Sequence, residues 1–209
     1  MEKLTLPYHL TFNKQFNGND LLKGVYIAVI HATRIPPHIG IIADGKFHSL
    51  SIKGQDINTS IEVLIKNSNQ RKIPSLFIKI KPHSTFSELY LKEHFITNIQ
   101  QFPKVDIGVA TCLSPVKLFF EEVYNVPMNT VNYLFELVQK LYSEGLIENI
   151  SSLFVDEKKY EFPVYTTAEI NAGIAQVRSE FKYLSPNLPN RVPPIASPVA
   201  QGEGVKKIE

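Results

Sequence analysis

His38-Ile39-Gly40-Ile41-Ile42-Ala43-Asp44-Gly45-Lys46-Phe47-His48-Ser49-Leu50 is the stretch that decides the fold. Apolar residues alternate on both sides of Ala43-Asp44-Gly45, the pattern of a β-hairpin closed by a glycine turn, with a histidine on each arm. The register depends on the turn. A three-residue loop ending in Gly45, whose left-handed backbone costs glycine nothing, pairs Ile42 with Lys46, Gly40 with His48 and His38 with Leu50. His38 and His48 are then diagonal neighbours on one face. A two-residue Asp44-Gly45 turn sends them to opposite faces, because side chains alternate and a slip of one residue inverts the set. A shared histidine site therefore requires the three-residue loop.

Upstream, residues 24–32 are rich in Val, Ile and Tyr and predict a buried strand, and Pro36-Pro37 imposes an extended approach to His38. Arg34 in that approach reads as a solvated loop residue and is assigned no role. Downstream, residues 59–71 carry a helical pattern with Asn58 available as its cap. Residues 76–81 alternate as a strand with one buried and one wet face. Ser84 or Thr85 can cap a helix to about residue 101, and Asn129 or Thr130 can start another that stops near Gly145. Phe154-Val155 and residues 162–165 flank Asp156-Glu157-Lys158-Lys159 as a second hairpin, before a last helix from Thr166 or Thr167 through Phe181.

Cys112, the chain's single cysteine, stands where a short apolar run passes into a helix marked by Val116, Phe119, Phe120 and Val123. Thr111 can serve as N-cap, and Pro115 is tolerated in the first turn. At a helix start the unpaired amides favour an anion, so Cys112 is expected to reach its thiolate more readily than a free cysteine, the more so beside a histidine. Cysteine with histidine makes an activated nucleophile.

The order of histidine on a strand, histidine across the hairpin and cysteine at a helix start resembles the permuted branch of the papain-like cysteine hydrolases. That branch includes the lecithin retinol acyltransferase group and the permuted NlpC-type hydrolases. The resemblance covers roughly residues 24–124 and rests on short motifs. It implies that His38 is the general base, His48 the polar group orienting it, and Cys112 the acyl-accepting nucleophile. The implied fold is α+β, an antiparallel sheet packed with helices in the permuted papain-like manner, and the implied activity is cleavage of an amide or ester with no cofactor. Peptide, lipid and small amide substrates remain open. The hairpin is shorter than in the lipid acyltransferases, and Cys112 is followed by Leu113-Ser114-Pro115, unlike their sequence around the nucleophile.

Composition bounds the rest. With 209 residues and 44% hydrophobic content the chain supports one main α+β domain, expected over residues 1–183. A net charge of +2, with basic residues scattered, disfavours nucleic acid. One cysteine excludes an intrachain disulfide. The first residues lack the apolar run of a signal peptide, and no apolar stretch approaches the roughly twenty residues that span a bilayer. The expectation is a cytoplasmic protein with no transmembrane segment. No histidine lies at a usual zinc spacing, so no metal site is expected. Residues 184–209 are proline-rich and read as a disordered tail, with a protein partner at that tail as a further possibility. The rival functional reading is a noncatalytic binding or scaffold protein on the same fold.

Overall fold

The computed structural model describes residues 10–184, with side chains as far as residue 179. Its strands are β1 (Val25–Ile30), β2 (His38–Ala43), β3 (Lys46–Ser51), β4 (Gly54–Ser60), β5 (Ser75–Ile80) and β6 (Ile147–Leu153). Its α-helices are α1 (Ile61–Arg71), α2 (Glu88–Gln100), α3 (Leu113–Tyr124), α4 (Leu134–Ser143) and α5 (Thr167–Leu184). The strands form one sheet of order β4-β3-β2-β1-β5-β6 with every neighbouring pair antiparallel. The expected α+β class with an antiparallel sheet is thus observed.

β1 is buried along its whole length because both sheet faces are covered. Val25, Ile27 and Val29 join Ile39 and Ile41, Leu76 and Ile78, and the apolar stripes of α2, α3 and α4 in the larger core. Tyr26, Ala28 and Ile30 join Ile42, Phe47 and Phe77 in a second core closed by Leu21 and by Ile61 and Leu64 of α1. β5 differs from its expected half-wet pattern for this reason. Phe77 is fully buried, with Phe16 stacked on it at 5.1 Å, and Lys79 alone reaches outward to Glu148 at 2.9 Å.

The first hairpin takes the two-residue turn. Ala43 pairs with Lys46, and Ile41 with His48, so the three-residue register expected from the sequence is corrected. Asp44 and Gly45 have φ of 51° and 64°, the double left-handed geometry that Asp-Gly favours because it matches strand twist. Asp44 is also held by Lys92 of α2 at 2.9 Å.

Two strands escape the sequence reading. β4 is largely polar and half-exposed, and Asn58 stays within it at φ 63° while Ser60 caps α1 by accepting from the Val63 N–H. β6 is an edge strand paired with β5. The second hairpin is corrected accordingly: 156–159 is a turn beyond β6, and 162–165 is irregular chain that buries Phe162 and Tyr165. Two helices also start later than expected. His83 Nδ1 accepts from the Thr85 and Phe86 N–H groups, leaving Ser87 to cap α2, and the Glu136 carboxylate accepts from Asn132 and Tyr133 at the head of α4. The tail expected at 184–209 lies, beyond Leu184, outside the described residues.

Candidate active site

The two-residue turn separates the histidines. Because His48 lies opposite Ile41 and His38 stands three residues before Ile41, the two imidazoles point to opposite faces of the sheet. His48 is fully buried in the larger core, edge-on to Phe95 with ring centroids 6.4 Å apart. Its Nδ1 accepts from the Asn58 N–H at 3.1 Å, which leaves Nε2 to carry the proton, enclosed and without a partner among the described residues. Burial, with Lys92 adding repulsion, lowers its pKa to about 4. His48 is a packed core residue and does not orient His38.

The residue that does meet His38 is Ser49. It lies opposite Gly40, on the face His38 uses, and its Oγ is 2.9 Å from His38 Nε2. Gly40 makes room for this arrangement, since a Cβ there would stand 2.3 Å from the His48 carbonyl oxygen and 2.8 Å from the Ser49 Cβ. Phe47 closes the ring's edge at 6.3 Å. Burial brings the His38 pKa down to about 4, only partly opposed by Asp56, so the imidazole is neutral at pH 7. The signal for Ser49 was present in the hairpin, but only the two-residue register turns it toward His38.

Cys112 stands immediately before α3, as expected. The Thr111 hydroxyl accepts from the Leu113 N–H at 3.2 Å, and the Ser114 hydroxyl accepts from the Thr111 N–H at 3.0 Å, so the two side chains cap the helix reciprocally. The thiol is 4.0 Å from the Pro37 carbonyl oxygen. Burial pushes its pKa above the ordinary thiol value, while the backbone N–H groups of Ile39, Cys112 and Leu113 pull the other way and favour negative charge at sulfur. The acidified thiol expected at the helix start is therefore reversed at rest: desolvation outweighs the helix amides. No hydrogen bond joins Cys112 to His38 among the described residues.

The two residues nevertheless both line a cavity of about 300 Å³, walled by Pro36, Pro37, Ile52, Val105 and Ile174 and with Arg34 and Lys53 in its lining. A smaller cavity of about 50 Å³ on the other side of Cys112 reaches Tyr133, Leu134 and Tyr165. Helix α5 supplies one wall. The Glu169 carboxylate and the Thr166 hydroxyl cap its start reciprocally, Gly173 comes so close to Pro36 that a Cβ would lie 2.4 Å from Pro36 Cδ, and Arg178 pairs with Asp106 at 2.7 Å. Among the described residues no cluster of His, Cys, Asp and Glu is arranged to hold a metal ion, and no helix is long and apolar enough to cross a membrane. Comparison with protein-family models, curated proteins and solved structures gives no significant match.

Proposed function

We propose that this chain is a cysteine hydrolase or acyltransferase of the permuted papain-like type, cleaving an amide or ester through an acyl-cysteine, with Ser49 in the orienting place first given to His48. The observation that carries the reading is that Cys112 and His38 line one cavity, with the thiol at a helix start and the imidazole fixed by a neighbouring hydroxyl. If Nε2 donates to Ser49, Nδ1 is the free acceptor, and a neutral imidazole is the form a general base needs.

In the reaction the thiol proton passes to His38 as sulfur bonds to the substrate carbonyl carbon. The oxyanion forms near the N–H groups of Ile39, Cys112 and Leu113. Collapse expels the amine or alcohol, which takes the proton back from His38, and water or a second acceptor then attacks the thioester by the same route. Both partners are neutral at rest, so proton transfer has to accompany attack and the two side chains have to close together on substrate.

A noncatalytic binding protein is the second reading, favoured by the missing hydrogen bond between Cys112 and His38 and by the raised thiol pKa. An activated ester such as p-nitrophenyl acetate separates the two. The hydrolase reading expects a burst of one nitrophenol per chain, an acetyl mass on Cys112, no burst from Cys112→Ser and a slow one from His38→Ala. A folded protein that gives no burst and no adduct is a binding protein.

A further inference from the structure

Across the molecule, one surface joins a cavity to an exposed guanidinium. The cavity shared by Cys112 and His38 is walled by Ile30, Ile52, Val105, Ile174 and Val177, and the ionisable residues along it besides those two are His31, Arg34 and Lys53. Among the described residues no Asp or Glu lines it. The carboxylates nearby are committed elsewhere: Asp106 is paired with Arg178 at 2.7 Å, and Asp56 accepts from the Thr59 hydroxyl at 2.5 Å on β4. Arg34 is exposed, and its guanidinium forms no ion pair among the described residues.

An apolar wall with a cationic mouth selects for a molecule of the complementary form. The wall excludes water along an aliphatic chain, and a guanidinium presents paired donors that fit a carboxylate or phosphate far better than a neutral amide. We propose that the cavity takes an anionic amphiphile, an aliphatic chain lying between β1 and α5 with its terminal anion at Arg34. This names the substrate class of the site proposed above and rests on that reading for its chemistry, but its binding step stands on the cavity alone. Arg34 carries the charge at this opening, and burial lowers the His31 pKa so that its ring stays neutral, so the preference is for anion over neutral and for neutral over cation.

The test uses the full chain carrying Cys112→Ser, which removes any covalent step, titrated calorimetrically with octanoate, octanamide and octylammonium. Octanoate is expected to bind about tenfold more tightly than octanamide, octylammonium most weakly, and Arg34→Gln in the same background to erase the gap between the first two. Equal binding of octanoate and octanamide, tighter binding of octylammonium, a gap that survives Arg34→Gln, or no saturable binding of any of the three overturns the proposal. Ester acylation of the unmodified chain is read separately. Anion binding without acylation removes the catalytic reading only, and acylation without anion preference removes this one only.

Discussion

Ser49 Oγ lies 2.9 Å from Nε2 of His38, across a hairpin whose turn sends His48 to the far side of the sheet. With Nε2 donating to that hydroxyl, Nδ1 is the ring nitrogen left to accept a thiol proton; the opposite tautomer would leave His38 no basic nitrogen for Cys112.

Ser49→Ala is expected to slow acylation of Cys112 about tenfold and to lower stability by about 1 kcal/mol, the usual net contribution of one hydrogen bond. Ser49→Thr, which keeps the hydroxyl, is expected to recover both. A positioning role predicts a second change, in the tautomer ratio of His38 read from its ring nitrogen shifts by NMR. Loss of stability with an unchanged tautomer ratio and unchanged acylation would leave Ser49 a packing residue only.

His48→Ala is expected to behave in the opposite way. It empties a fully buried site beside Phe95 and strips the Asn58 N–H of its acceptor, a combined loss of about 2–4 kcal/mol. Acylation per folded molecule should not change. Denaturant unfolding alongside the nitrophenol burst measures both, and a burst that falls in step with a His38 variant would restore His48 to the site.

The hairpin, the buried β1, the helix that follows Cys112 and the approach of prolines to His38 were legible because each carries a local signal: alternation, a continuous apolar run, a helical stripe, a fixed φ. β4 and β6 were not. Their polar and half-exposed residues gain their strand conformation from pairing with β3 and β5, a contact between distant segments that no local pattern records. That Cys112 and His38 line one cavity is a meeting of distant segments that no local pattern records, and the sequence offered it only through the resemblance. The identity of the orienting residue hung on one residue of register, where Asp44-Gly45 outweighed the three-residue alternative. The thiol's acidity was misread because helix position is visible in sequence and the depth of burial is not.

Stability should fall as the pH drops from about 6.5 to about 4. His38 and His48 both have folded pKa values lowered to about 4, chiefly by burial, so the unfolded chain binds more protons across that interval. Their contribution is complete above about pH 6.5 and is lost as the pH falls through the folded values, at about 1.4 kcal/mol per unit and per group. The carboxylates with lowered pKa values, Asp106 among them, add to the loss only at the acid end of that window and below it. Replacing both histidines by Gln should flatten the melting temperature between pH 6.5 and 4. A slope unchanged by the double replacement would mean that the rings are already hydrated in the folded chain.

Helix α5 should govern access to the thiol. Gly173 sits where a Cβ would approach Pro36 Cδ to 2.4 Å and the Ile35 carbonyl oxygen to 2.9 Å, and both neighbours are backbone or ring atoms with little freedom to give way. Gly173→Val therefore has to push α5 off this segment, at a cost of about 1–3 kcal/mol, and open the cavity that α5 walls with Ile174 and Val177. Cys112 should then react faster with a neutral alkylating reagent such as iodoacetamide, and its labelling should move toward the ordinary thiol pH dependence as water reaches the sulfur. Labelling rates across pH 7–10 for Gly173→Val, with Gly18→Val as a control at a position where a Cβ meets nothing closer than 3.8 Å, measure this. A Gly173→Val chain that unfolds at the same temperature and labels at the same rate as the unmodified one would show that α5 does not rest on Pro36 in solution.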